Sequence, residues 1–333
     1  MDKNKRGKQS LNILITVNSA FARQSVVLIK SILCHNPDVR IYVLYCDLKE
    51  NEILLLKDFC MAEGTEITFL KAEKDILSGL RTAEPFSCEV YLRLFAHLYL
   101  PEDVEKILYL DTDIICNGSL KDFYDTDLKE YSLLACARDD AFCNADFLRE
   151  NWDKKDALRG KYFNSGVLLL NCKKMRAIFP DTECLQKFIQ SAGIDYLFDQ
   201  GLLNYIYAKN SILITSSVYN FRLGYYLKNC PDVLGNIRMD DVKLIHYSGE
   251  ITPYKPWDLC FTDDEIEKYE LTAGNAEYQV LFSVRREINE NAKIWWEYAA
   301  NTPVYEELLS EMTVKKEWFK RGISGFLKRL SVL

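Results

Sequence analysis

Hydrophobic and polar positions along the first part of the chain alternate between two periods. Leu11 to Val17 is a compact apolar run of strand length. Leu28, Ile29, Ile32 and Leu33 then recur at helical spacing, and Asn36-Pro37 predicts the stop. Val39 to Cys46 is a second run, β-branched and aromatic. Asp47 followed by Glu50 has the form of a capping box. Ile53, Leu54, Phe59 and Cys60 share the helix it would open, and Gly64 ends that helix. Glu66 to Leu70 reads as a third strand. The order β-α-β-α-β predicts the α/β class, an open and mostly parallel sheet with helices on both faces.

The pattern continues downstream. A helix is predicted from Ser87 to Tyr99, with Tyr91, Leu94, Phe95 and Leu98 on its buried side and Pro101 beyond its end. Lys106 to Leu110 is a strand that runs straight into Asp111. Further strands are expected at Leu133 to Cys136, Val167 to Asn171, Ile212 to Thr215 and Val242 to His246. Asp139 to Lys161 is polar, charged and aromatic, and reads as a substrate-facing insertion. After Phe261 the pattern turns helical and charged. The expected layout is a disordered lead over residues 1–10, one α/β domain over 11–260 and a helical extension over 261–333. The lead is basic and polar, with no apolar core after it, so it does not read as a recognisable signal peptide.

The extension ends in a basic stretch. Lys315, Lys316, Lys320, Arg321, Lys328 and Arg329 face a single acid, Glu317. Phe319, Ile323, Phe326, Leu327 and Leu330 fall on one helical face. Gly322 and Gly325 each cost such a helix about 1 kcal/mol relative to Ala. Two readings stand: a peripheral anchor on the inner face of a membrane, or an ordinary solvated or interface helix.

Composition narrows the classes. Hydrophobic residues make up 48% of 333, ample for a core. A net charge of −7 argues against nucleic acid as a partner. The 11 cysteines are scattered singly with no CxxC pair, which fits reduced core thiols in a cytoplasmic protein. No apolar run reaches the length of a membrane span.

Candidate chemistry gathers at strand ends. Asp111-Thr112-Asp113 follows the strand KILYL directly. Ligands of open α/β sheets bind beyond the carboxyl ends of strands, and two carboxylates one residue apart there can reach one divalent cation. Alone, such a pair is common in solvated turns. His246 in IHYSG again ends an apolar strand, and a lone histidine is often structural. An imidazole beside two carboxylates would favour Mn²⁺, with Mg²⁺ the alternative. Gly249 permits close backbone approach to a phosphate, and Lys255 offers an ammonium. Asn164 and Ser165 lie in a polar turn entering an apolar strand, FNSGVLLLN. Asp199 and Gln200 open a helix, FDQGLLN, where Asp199 also suits a cap.

The order YLRL, KILYLDTDI, FNSGVLLLN, DQGLLN, HYSG…KPW resembles glycosyltransferase family 8, from about Asn12 to Trp257. That family includes bacterial lipopolysaccharide galactosyl- and glucosyltransferases and glycogenin. The resemblance implies a GT-A fold and a retaining transfer of a hexose from a UDP-sugar donor to a saccharide or lipid-linked acceptor. It implies that Asp111, Asp113 and His246 hold Mn²⁺. It places Thr16, Asn18, Phe21 and Thr112 along the donor nucleotide, and Arg93, Asn164, Ser165 and Asp199 at the donor sugar. Gly249 and Lys255 fall at the diphosphate, and Gln200 beneath the anomeric carbon. Because Gln200 is an amide, a poor nucleophile, the reading favours front-face displacement over a double displacement. One departure is Asn18-Ser19-Ala20-Phe21, where the family carries two acids and an aromatic; this weakens the identification of the base as uracil. A second is the longer spacing from His246 to Lys255. Two competing classes are a non-catalytic nucleotide-sugar-binding module and a nucleotidyltransferase. The first should have lost the acids or Gln200. The second would want glycines after the first strand, and Thr16 to Ala22 has none.

Overall fold

The strand of the first apolar run, β1 (Leu11–Thr16), lies beside β2 (Val39–Tyr45), and β2 beside β3 (Glu66–Lys71), all parallel. A computed structural model describes residues 10–80, 88–137, 162–194, 198–214, 216–224, 226, 235–248, 255–257 and 285–314. The predicted insertion after Asp139, Gly249 and the basic C-terminal stretch lie outside the described residues.

The crossover helices follow from the sequence pattern. α1 (Ala22–His35) buries Val26, Val27, Leu28, Ile29 and Ile32. α2 (Glu50–Ala62) carries the four apolar residues expected on it and buries Leu56, Phe59 and Cys60, whereas Leu54 is exposed. The expected Asp47–Glu50 box is also displaced. Lys49 is the N-cap, and the Glu52 carboxylate accepts the Lys49 N–H at 2.8 Å. Lysine has no acceptor, so only the return half of a capping box can form. Gly64, at φ +71°, turns the chain out of α2 in the left-handed region that glycine adopts without penalty.

After β3 the chain returns to the other side of β1. α3 (Leu92–Tyr99) is preceded by a 3₁₀ turn at Cys88–Tyr91, so the single helix expected from Ser87 is two pieces. α3 is buried from Leu92 through His97, charged residues included. β4 (Lys106–Leu110) then pairs with β1 in parallel and with β7 (Phe163–Asn171) antiparallel. β6 (Leu133–Ala137) pairs antiparallel with β7 and parallel with β8 (Ser211–Ile214). The seven-stranded order is β3-β2-β1-β4-β7-β6-β8. Only β7 opposes its neighbours. The sheet is therefore mostly parallel, and it is flanked by helices, among them α4 (Cys172–Ile178), α5 (Thr182–Ser191) and α6 (Asp199–Tyr207). β7 starts four residues earlier than the expected Val167. The anticipated polar turn is strand, held where Asn204 of α6 accepts the Phe163 N–H and donates to the Phe163 carbonyl, both at 2.9 Å.

A second, two-stranded ribbon was not foreseen. β5 (Ile114–Cys116) pairs antiparallel with β9 (Leu244–His246), in the register Ile114↔His246. The strand expected from Val242 starts only at Leu244, because the Val242 N–H closes a turn onto Met239. The chain divides into two compact units, Met1–Phe221 with Arg238–His246, and Arg222–Ile237 with Tyr247–Leu333. In the second, α7 (Arg285–Ala299) buries Trp295, whose ring lies 5.1 Å from that of Trp257 at a tilt of 49°, and Trp296 donates to the Pro256 carbonyl. Among the described residues no helix is long and apolar enough to cross a membrane.

Candidate active site

The strand order reverses between β1 and β4, since the chain runs outward through β2 and β3 and then returns. Beyond such a switch point the loops diverge and leave a crevice. The carboxyl end of β1 supplies Thr16, Asn18 and Phe21, and that of β4 supplies Asp111, Thr112 and Asp113. Asn18 caps the 3₁₀ turn Ser19–Phe21, its side-chain oxygen accepting the Ala20 N–H at 3.1 Å.

His246 reaches this place through the ribbon. The Ile114↔His246 pair sets it next to the residue that follows Asp113. Its Nε2 lies 3.2 Å from Asp113 Oδ1 and 3.7 Å from Asp111 Oδ2. One ligand atom from each of the three lies within 4.8 Å of the others. A cation bound at about 2.0–2.2 Å needs donors roughly 3 Å apart, and this set fits. The charge balance fits as well. Among the described residues Asp111, Asp113 and Asp199 gather about the Arg93 guanidinium, and a divalent cation would add positive charge among these carboxylates.

Arg93 is buried on α3. Its Nη1 lies 2.8 Å from Asp111 Oδ1, its Nε 3.3 Å from Asp199 Oδ2, and Nη1 donates to the Ser165 carbonyl at 2.9 Å. The guanidinium also sits 4.7 Å from the Tyr109 ring centroid. Burial works to discharge it, but Asp111, with Asp199 and Asp113, outweighs burial and holds it charged. The resemblance puts Arg93 at the donor sugar, and in the structure its donors tie together Asp111 and Asp199. Asp199 is pushed above the ordinary carboxylate value, first by burial, with Arg93 opposing. Ser165 Oγ donates to Asp199 Oδ2 at 3.3 Å.

Gln200 lies in the first turn of α6. Its Oε1 accepts from Asn164 Nδ2 at 3.0 Å and from the Ser165 N–H at 3.2 Å. Lys255 belongs to the second unit, where its Nζ donates to the Tyr247 carbonyl at 2.6 Å.

Three participants were not singled out by sequence. Tyr109 donates to Asp111 Oδ1 at 2.6 Å and lies 3.1 Å from Thr16 Oγ1, linking the β1 and β4 ends. Burial, first, pushes that phenol well above its usual value, so it stays a donor. Gly166 backs the cation site. A Cβ there would lie 2.4 Å from His246 Cε1 and 2.8 Å from Asp111 Oδ2. Asn220 is fully buried between Asn164 and His246. None carries a local signal, because each role arises only where distant segments meet.

Comparison with known proteins identifies the family. Residues 12–259 match the family model for Glycosyl transferase family 8. The chain is 25% identical over 248 residues to glycosyltransferase GlyF of Streptococcus pneumoniae serotype 4, covering 74% of this chain and 58% of GlyF. It is 23% identical over 269 residues to lipopolysaccharide 1,2-glucosyltransferase of Escherichia coli, 75% of each. The pneumococcal glycosyltransferase GlyD is 33% identical over 165 residues, 49% of this chain, of which the chain spans 18%. The crystal structure of galactosyltransferase LgtC with donor and acceptor sugar analogues superposes with a TM-score of 0.64 at 24% identity, over 88% of this chain and 96% of that one. The GT-A sheet of that structure is the sheet found here. With the acids at the β1/β4 switch point and the family match spanning most of the first unit, the chain belongs to glycosyl transferase family 8.

Proposed function

We propose that this chain is a retaining hexosyltransferase that moves galactose or glucose from a UDP-sugar to a saccharide or lipid-linked acceptor, with Mn²⁺ as cofactor. The observation that carries the proposal is the convergence of Asp111, Asp113 and His246 at the switch point. One imidazole among carboxylates favours Mn²⁺ over Mg²⁺. When bound, the cation would neutralise the diphosphate leaving group. The names of the similar lipopolysaccharide glucosyl- and galactosyltransferases support a hexose.

The chain's own residues position and exclude. Arg93 holds Asp111 and Asp199 at fixed separation, and Tyr109 holds the second lone pair of Asp111 Oδ1. Asn164 and Asp199 offer acceptors and donors to sugar hydroxyls. The Gln200 oxygen already accepts two N–H groups, so little lone-pair density is left for attack on the anomeric carbon. This supports front-face displacement, with Gln200 placing its dipole under the developing positive charge. Asn18 and Phe21 serve the base by hydrogen bonding and stacking, and Gly249 and Lys255 serve the diphosphate. A lipid-linked acceptor would be met at a membrane surface by the basic residues near Lys320 and Lys328.

A panel of nucleotide-sugars assayed for Mn²⁺-dependent hydrolysis tests the proposal. UDP-galactose or UDP-glucose should be consumed, and Asp113→Ala should abolish the reaction. Full activity of that variant after exhaustive chelation would overturn it.

A further inference from the structure

A histidine binds a cation only through the ring nitrogen that lacks a proton, so its tautomer must be set by whatever meets the other nitrogen. Here the tautomer follows from two backbone groups that can only donate. The Gly166 N–H points at Asn164 Oδ1 at 3.0 Å, so that atom is the oxygen. Asn220 must then turn its amide nitrogen toward Asn164 Oδ1, at 2.9 Å. Its oxygen is left facing His246 Nδ1, also at 2.9 Å, which requires the proton on Nδ1. The other end agrees. The Ser165 N–H fixes Gln200 Oε1 as oxygen, and Asn164 Nδ2 donates to that same atom. Donors run head to tail from His246 through Asn220 and Asn164 to Gln200.

The relay is dry and braced. Asn220 is 0% exposed, His246 4% and Asn164 8%, which leaves no solvent to replace a missing partner. The residue after Asn220 pairs with β9: the Phe221 N–H donates to Leu244, and the His246 N–H donates to Phe221. One backbone pairing therefore sets both ends of the Asn220–His246 contact.

We propose that Asn220 is a positioning residue that holds His246 as the Nδ1–H tautomer, aiming the Nε2 lone pair between Asp111 and Asp113. Its consequence for cation affinity rests on the metal site proposed above, whereas the tautomer does not. The chain has three histidines, so ¹⁵N-histidine spectra of the metal-free full-length protein are readily assigned. In slightly alkaline buffer, His246 should show a protonated Nδ1 and an unprotonated Nε2. Asn220→Leu should lose that preference, and its Mn²⁺ affinity, read from free Mn²⁺ by electron paramagnetic resonance, should fall roughly 10–100-fold. Asn220→Asp keeps the acceptor for Nδ1–H, so it should keep the proton on Nδ1; it loses the donor to Asn164 Oδ1, and its Mn²⁺ affinity should fall less than that of Asn220→Leu. An Nε2-protonated wild-type His246, or an unchanged tautomer in a folded Asn220→Leu, would overturn the proposal. If Asn220→Leu does not fold, the wild-type and Asn220→Asp spectra decide. A wild-type protein with the Nδ1–H tautomer that binds no Mn²⁺ would uphold the relay and refute the metal site.

Discussion

Adding one methyl group at Gly166 should dismantle the cation site while leaving the sheet in place. Gly166 does not have positive φ, so alanine suits its backbone. The conflict is spatial. The new Cβ would lie 2.4 Å from His246 Cε1, 2.8 Å from Asp111 Oδ2 and 2.9 Å from His246 Nδ1. Carbon contacts settle near about 3.5–4.0 Å, so ring or strand must move by about 1 Å. Neither yields easily: His246 is anchored through Asn220, and the Gly166 carbonyl accepts the Asp111 N–H at 2.9 Å. Overpacking of this kind costs about 1–3 kcal/mol. A shift of about 1 Å in a positioned group lowers turnover roughly 10²-fold. Mn²⁺ titration, denaturant unfolding and donor hydrolysis should be run on Gly166→Ala beside Gly118→Ala. At Gly118 a Cβ comes equally close, 2.4 Å, but to the Cδ of Lys243, a flexible chain that can swing aside. Gly118→Ala should resemble wild type. Wild-type Mn²⁺ affinity and turnover in Gly166→Ala would refute the geometry.

Three further outcomes are expected. Arg93→Met leaves Asp111 and Asp199 without their shared cation and should cost about 3–5 kcal/mol in denaturant unfolding, as loss of one partner of a buried pair does. His97, buried on α3 against the Phe179 carbonyl, is lowered from 6.5 to about 4, chiefly by burial. Unfolded chains take up that proton first, so wild-type stability should fall as pH drops from 6.5 toward 4, by about 3 kcal/mol in all. His97→Leu should be flatter over that interval, and an equal slope would contradict the assignment. Exhaustive chelation should stop donor hydrolysis, with Mn²⁺ restoring it better than Mg²⁺ at equal concentration.

Much of this was legible in the chain because the signals are local. β1 through β4 and the Asp-x-Asp at the end of KILYL follow from apolar runs and their punctuation. The union of Asp111 and Asp113 with His246 came from resemblance, and the ribbon that accomplishes it did not. β5 has three residues, too few for an alternating pattern to register beside the acids. Tyr109 reads as one more core aromatic in a strand, and its hydroxyl matters only because β1 and β4 are adjacent.

The β5–β9 ribbon has a consequence for how the protein comes together. Alternate residues of a strand face opposite ways, so a slip of one position in the Ile114↔His246 register would turn the imidazole away from the acids. Clamps just beyond the strands oppose that slip: the Asn117 N–H donates to Lys243, and the Asn117 side chain donates to Met239 and Val242. The span joining the two strands is long, and the entropy of closing it grows only logarithmically with length. Insertions at an exposed turn of that span, such as Lys129–Glu130, should leave competence intact, while shortening β5 by a single residue should abolish it.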